Sequence, residues 1–411
     1  MAGEKVLMGL DIGSKTIRCV IGSLGRDDQF MVDSICERAS EGVLQGSIVN
    51  IEHAVRSINS VVNEAQLLAG TEISDIVIGI GGESIKGTIS QGVVGISDPD
   101  QEIKKEDVIR SMEVAKAFEL PTDREVVHLL VQDFKIDGRS GIKDPIDMLG
   151  RRLETKVLVV TASSLLCQTH RKCVQRLGLN VRRTTLESLA DADVTLSSEE
   201  KEMGTILINI GAGTTDMIVY KNGTPLYVGG VNLGGNSVTE DIASIFSKPK
   251  AIAEQLKVEY GHSFVPSVSN EEMFTIPSVG ALPAIQMPRK ELAKVVEARM
   301  AEIFSRLQNE LVGVPNIGNL GGGVVLVGGG ALLSGVTDLA SEIFRLPCRV
   351  GFPEALGGLD RNYINPQYTT VLGLLKNNAK KHVDSSSNRR KNGKRDRAIK
   401  NKFLNFFKSL F

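Results

Sequence analysis

The sequence predicts an α/β protein with two matched lobes facing each other across a cleft, and a small α+β insertion at residues 84–162. Two observations carry the duplication. Asp11-Ile12-Gly13 and Asn209-Ile210-Gly211 stand 198 residues apart. Each ends one apolar run and opens a second after a short glycine turn, the pattern of a repeated hairpin. A third observation bounds the class. With 411 residues, 42% hydrophobic and 24% charged, the chain is globular and about two or three domains long. Aromatics are 4% and Trp is absent, so the core must be aliphatic, and 42 Gly point to many tight turns.

In chain order, Lys5–Ile12 and Thr16–Gly22 read as a hairpin turning on Gly13-Ser14-Lys15. Ile51–Leu68 has helical apolar spacing, and Ile76–Ile80 is a short buried strand. Within the insertion, Gln91–Ile96, Val126–Ile136 and Thr155–Val160 read as strands and Lys105–Ala117 as an amphipathic helix. Leu165–Leu177 resumes the helical pattern. The second hairpin pairs Gly204–Ile210 with Thr214–Tyr220, and Asn222-Gly223 turns into a third strand, Pro225–Val231. Val238–Phe246 and Ala251–Val258 read as helices, Ser263–Pro288 as a proline-bearing loop, and Arg289–Val312 as a long amphipathic helix. Val324–Val327 is a buried strand, and Gly328-Gly329-Gly330 opens a helix. The stretch Leu311–Thr337 is long enough to cross a bilayer without a charge, but its nine Gly and one Pro fit a buried strand between glycine loops.

Charge separates the tail from the body. Residues 380–411 carry eleven Lys or Arg against Asp384 and Asp396, a net +9, which leaves −10 on the first 379 residues. An acidic body argues against nucleic acid as a partner. The five Cys (19, 36, 167, 173 and 348) show no C-x-x-C pairing, which argues against a disulfide framework or structural zinc. No apolar signal segment opens the chain, so a cytoplasmic location is expected.

Two glycine turns facing across a cleft would expose backbone N–H groups that grip a polyphosphate from both sides. Lys15 would add charge, with hydroxyls from Ser14, Thr214 and Thr215. Asp11 stands where an acid would hold the water shell of Mg²⁺, which takes one or two carboxylates. An ordinary pair of glycine-turn hairpins is the bland alternative, and the second copy's Thr-Thr-Asp weighs against it.

The quoted turns, with Gly9-Leu10-Asp11-Ile12-Gly13-Ser14, Asn209 to Asp216 and Val327-Gly328-Gly329-Gly330, resemble the two phosphate motifs and the adenosine motif of the actin, heat-shock chaperone and sugar kinase superfamily. Within it the chain resembles the FtsA family of bacterial cell-division proteins over almost its whole length. Gly141-Ile142-Lys143-Asp144-Pro145, Ile276-Pro277-Ser278-Val279-Gly280, Thr239 to Ala243, Glu254-x-x-Lys257 and Thr370 to Leu375 carry that narrower likeness.

The resemblance implies an actin-like two-lobed fold with ATP and Mg²⁺ in the cleft. Residues 1–83 and 163–202 would form the first lobe's core, and 203–235 with 313–379 the second's. Residues 84–162 would be a polymer-contact subdomain, and 236–312 an outer subdomain. Residues 380–397 would be a basic flexible linker and 398–411 a membrane-targeting helix. Glu254 and Lys257 would contact the ribose, with Gly235, Asn236, Gly329 and Gly330 lining base and sugar. Gly13, Gly211, Ala212, Gly213 and Gly328 would complete the nucleotide loops.

By the same likeness, such proteins polymerise at the inner face of the cytoplasmic membrane, tether the tubulin-like protein FtsZ and help recruit later division proteins. Arg299 matches a basic position where the FtsZ tail binds, although a solvated surface charge explains it equally. One departure matters: Asn209 stands where the second motif usually has Asp, while Asp11 and Glu187 keep family acid positions. ATP binding is therefore expected with weak or absent hydrolysis. A pilus-assembly ATP-binding protein of the same fold and a small-molecule kinase are the alternatives.

The tail makes its own case. At 100° per residue Ile399, Phe403, Phe406, Phe407 and Leu410 share one stripe, opposite Asn401, Lys402, Asn405, Lys408 and Ser409. An amphipathic helix lying on anionic inner-membrane lipid is the expectation.

Overall fold

Lys5–Ile12 and Thr16–Leu24 pair antiparallel around the first glycine turn, which sets Asp11 opposite Arg18. Phe30–Ala39 extends this sheet on the hairpin side. On the other side Asp75–Ile80 runs parallel to the first strand, and Asn180–Leu186 parallel to that. The second hairpin repeats the plan. Thr205–Ile210 pairs with Thr215–Lys221, which pairs with Thr224–Val231, and Val324–Val327 and Cys348–Val350 add on in parallel. Both sheets therefore have five strands in the same order and sense, an antiparallel meander of three followed by two parallel strands. The duplication expected from the 198-residue offset is present at the level of topology. The computed structural model describes residues 5–24, 30–117, 120–277, 284–314 and 317–377.

The insertion is a four-stranded sheet ordered Lys86–Gly95, Arg152–Ser163, Arg124–Ile136, Arg139–Ile142. The helix Lys105–Lys116 lies on it. Gly92 is required by that contact, since any side chain there would collide with the Ser111 carbonyl. Ile103, Met112, Leu129, Leu153 and Val157 fill this small core.

Helix Ile51–Ala69 shows how local sequence sets an element. Asn50 caps its start by accepting from the His53 N–H at 3.1 Å, and Gly70 ends it in the left-handed region at φ 64°. Ala54, Ile58, Val61, Val62 and Ala65 recur at helical spacing and bury against the first sheet. The second lobe's core is mainly aliphatic, with Phe274, Phe304 and Phe344 also buried in it.

The structure departs from the sequence expectation in several places. Within 263–288, Met273–Ile276 and Ile285–Pro288 pair as a hairpin. Pro277 and Pro288 fall at the strand ends, where no ladder N–H is lost. The strands Phe30–Ala39, Asn180–Leu186 and Cys348–Val350, and the helix Glu187–Thr195, were not read from the sequence, while Val336–Phe344, whose Val336, Leu339, Ala340 and Phe344 recur at helical spacing, was expected only as the helix that the glycine triplet opens. After Val327 a short 3₁₀ turn, Gly329–Leu332, precedes the next helix. No helix among the described residues is long and apolar enough to cross a membrane.

Candidate functional site

Both hairpin turns are pinned by their own backbone and by neighbours. The Gly211 N–H donates to Thr214 O at 2.9 Å, and Ser14 Oγ accepts from the Gly46 N–H at 2.9 Å. The turns also meet. A side chain on Gly213 would strike Ser14 Oγ, so only glycine allows this approach of one lobe to the other.

A cavity of about 370 Å³ opens between the lobes, a volume typical of a small-molecule site. Gly13, Ser14 and Lys15 line it from the first turn, and Gly211, Ala212, Gly213 and Thr214 from the second. Gly235, Asn236, Glu254, Lys257 and the loop Gly328-Gly329-Gly330 also face it, as do Asp11 and Glu187. Helix Gly235–Ile245 starts against the second turn, with the Gly235 and Asn236 N–H groups donating to Gly211 O and Ala212 O at 2.9 and 2.8 Å. Thr215 is the correction. It is fully buried away from the wall, and its Oγ1 donates to Leu233 O at 2.8 Å. Strand alternation sends it to the opposite side from Thr214.

Lys15 and Glu254 join the lobes directly. Lys15 Nζ lies 2.6 Å from Glu254 Oε1, and Lys257 Nζ lies 2.7 Å from Oε2. Lys257 also donates to Gly235 O and Thr239 Oγ1, both at 2.9 Å, and Thr239 bonds Glu254. Burial would raise the Glu254 carboxyl, but the bonds from Lys15, Lys257 and Thr239 outweigh it and hold it at about 2. Both oxygens of Glu254 are thus already engaged in this structure.

The other end of the cavity is acidic. Burial pushes Asp11 up to about 6 despite Arg18, whose Nη1 is 4.0 Å from Oδ2. Glu187 is raised well above the usual carboxylate range by burial and by Asp11, Asp216 and Asp191 nearby. Gly79 and Gly81 make room for these acids. A side chain on Gly81 would come 2.8 Å from both Asp216 oxygens and 2.9 Å from Glu187 Oε2. Buried carboxylates crowding one another fit a cationic occupant. Among the described residues, no three His, Cys, Asp or Glu side chains converge as a metal cage.

Asp216, Arg18 and His170 line the cavity and were not picked out as site residues. Asp216 accepts from the Gly82 N–H at 2.6 Å and is raised to about 6 by burial. The 198-residue offset that relates Asp11 to Asn209 also relates Arg18 to Asp216, and each pair is in register across its hairpin. That offset was the available signal. His170, a buried ring, donates from Nδ1 to Leu166 O at 2.9 Å and stays neutral because burial lowers its pKa.

Arg299 lies elsewhere, in a groove of about 220 Å³ with Asp241, Ile245, Val295, Ala298 and Glu302. Its guanidinium is bidentate on Asp241 at 2.6 and 2.9 Å and reaches Glu302 at 2.5 Å. It is thus an ion-paired residue rather than a solvated one. Ile399, Phe403, Phe406, Phe407 and Leu410, with the linker, lie outside the described residues.

Comparison with known proteins agrees with this architecture. The family model described as cell division protein FtsA matches residues 206–373, and that of the SHS2 domain inserted in FtsA matches 82–161. The chain is 39% identical to the cell division protein FtsA of Borreliella burgdorferi over 90% of both chains. It is 38% identical to that of Pseudomonas aeruginosa, covering 93% of this chain and 91% of the relative. Among solved structures, a PilM–PilN type IV pilus biogenesis complex aligns with TM-score 0.63 at 18% identity, over 91% of this chain and 98% of the other. MreB5 of Spiroplasma citri bound to AMPPNP aligns with TM-score 0.57 at 13% identity, over 93% and 99%. These likenesses establish an actin-like fold. Two relatives near 40% identity along nine-tenths of the chain, together with the inserted subdomain, establish more: the chain belongs to the FtsA family of cell-division proteins.

Proposed function

We propose that the chain binds ATP with Mg²⁺ in the cleft and polymerises on the inner face of the cytoplasmic membrane. There its terminal helix would anchor it in the lipid while FtsZ docks on the 236–312 lobe beside Arg299, so that FtsZ is tethered to the membrane, and the chain helps recruit later division proteins at the division site. The observation that carries the nucleotide reading is the meeting of two glycine turns, one from each copy of the duplicated unit, on one cavity.

Backbone N–H groups of the two turns would hold the phosphates from both lobes. Lys15, half exposed, would exchange Glu254 for a phosphate oxygen. Glu254 and Lys257 would contact the ribose, and Gly329-Gly330 the base. Bound Mg²⁺ would supply positive charge against the phosphates. Asp11 and Asp216 would hold its water shell, and Glu187 would orient a further water. Asn209 brings no charge to the wall, which supports binding with slow or absent hydrolysis.

For the membrane, full burial of one large apolar side chain is worth roughly 1.5–3 kcal/mol. Partial burial of Ile399, Phe403, Phe406, Phe407 and Leu410 would then hold the helix in the interface, and each nearby Lys or Arg adds about 1 kcal/mol on anionic lipid.

The nucleotide reading is tested at Gly329. Gly329 lines the cavity and a side chain there meets nothing within 4 Å, whereas one on Gly330 would strike Ile210. Gly329→Val should therefore fold as the parent does and lose at least about tenfold in ATP affinity, or 1.4 kcal/mol, by calorimetry. Unchanged affinity would refute the placement of the base.

A further inference from the structure

Asn209 is the penultimate residue of the strand Thr205–Ile210, at the cavity wall. Its Nδ2 donates to Asp191 Oδ2 at 2.7 Å and to Thr370 Oγ1 at 3.0 Å. Asp191, on the helix Glu187–Thr195, is fully buried behind the wall and does not line the cavity. Its Oδ1 accepts from the hydroxyls of Thr369 and Thr370 at 2.7 and 2.9 Å.

This network dictates the orientation of the amide. A flipped Asn209 would set its carbonyl oxygen against a carboxylate, acceptor against acceptor. With Nδ2 held from behind, Oδ1 is left on the cleft side, directly under Gly328, where any side chain would strike it. Oδ1 has no hydrogen-bond partner among the described residues, in a residue 7% exposed.

We propose that Asp191 is a positioning residue for the cleft, paired with Asn209 so that the carboxylate stands one hydrogen bond behind the wall and only a neutral carbonyl faces the ligand. Asn209 Oδ1 then accepts from a water on the metal–phosphate group, and Asp191 sets its direction. The pair also ties the second phosphate turn to the helix that starts at residue 369, so nucleotide contact and core packing share one set of bonds. The proposal rests on the nucleotide reading above. It reverses the simple expectation that Asn209→Asp improves the site. That substitution alone sets two buried carboxylates at hydrogen-bond distance, and they cannot both ionise.

The test uses the full chain and four proteins: parent, Asn209→Asp, Asp191→Asn and the double exchange. Each is melted without nucleotide, and each is titrated with a fluorescent ATP analogue in Mg²⁺ and in EDTA. Asn209→Asp alone should melt lower and bind the Mg²⁺ form more weakly than the parent. Adding Asp191→Asn should restore the melting temperature and raise the ratio of Mg²⁺ to EDTA affinity above the parent's by roughly tenfold, the effect expected when a charge moves next to a metal's ligand shell. If Asn209→Asp alone yields no folded protein, recovery of folded protein in the double exchange is the expected result. An Asn209→Asp variant as stable as the parent and tighter for the Mg²⁺ form would overturn the pairing, as would a double exchange that rescues nothing. A parent that binds the analogue in neither buffer would overturn the nucleotide reading and the positioning role with it. The melting data would then still show whether the two side chains are coupled.

Discussion

At the scale of single residues, the cleft is defined by acids that burial pushes away from their ordinary titration. Asp11 and Asp216 sit near 6 and Asp191 near 7, each raised first by burial. The folded state therefore keeps protons that the unfolded chain, with aspartates near 3.8, has already lost. The stability these groups contribute is greatest below that window and falls as pH rises through 6 to 7. Glu254, held near 2, works in the opposite sense, but only below pH 4.5. The ligand-free protein should accordingly melt higher at pH 5 than at pH 7.5 at constant ionic strength. Asp191→Asn should flatten part of that slope, and a variant with the parent's full slope would show that Asp191 takes no part in it. Asp11 was legible as a site residue because its glycine turn is local in sequence, and Glu187 only through the family resemblance. Asp191 was not. It reaches Asn209 across 18 residues of chain and Thr369 across 178, and nothing in its own surroundings marks it.

At the scale of elements, the groove beside Arg289–Leu311 makes its own prediction. Asp241 and Glu302 already occupy the Arg299 guanidinium, so an incoming carboxylate must displace one of them. Asp241→Ala should free the guanidinium and strengthen binding of an acidic, partly apolar FtsZ tail peptide, whereas Arg299→Ala should weaken it. Fluorescence anisotropy measures both, and equal affinities in parent and both variants would remove Arg299 from the interface. Arg299→Glu is a poorer test, because it gathers a third acid beside Asp241 and Glu302.

The elements read correctly from sequence were those whose burial leaves a plain trace. The strands of the two glycine-turn hairpins are buried almost throughout and read as apolar runs closed by glycine, and Ile51–Ala69 repeats at 3.6 with a cap at each end. Phe30–Ala39 was missed because exposed Asp33, Glu37 and Arg38 interrupt its apolar residues. The hairpin inside 263–288 was missed because proline was taken as a bar to pairing, when Pro277 and Pro288 only bound the strands.

For the whole molecule, two sheets of identical topology bring their glycine turns together, and one ion pair, Lys15–Glu254, crosses the cavity between them. A phosphate that draws Lys15 away from Glu254 would replace that cross-lobe link with a ligand held by both lobes, so nucleotide occupancy and lobe closure are expected to be coupled. Closure in turn would set the geometry of a filament, and the basic, phenylalanine-rich tail would lay the filament on lipid.

Electron microscopy of the full chain on an anionic lipid monolayer with ATP and Mg²⁺ tests this account most directly. It predicts ordered filaments that are lost when nucleotide is withheld and lost from the lipid in Phe406→Glu with Phe407→Glu. Bare lipid under all conditions, or filaments on lipid indifferent to both nucleotide and tail substitution, would contradict it.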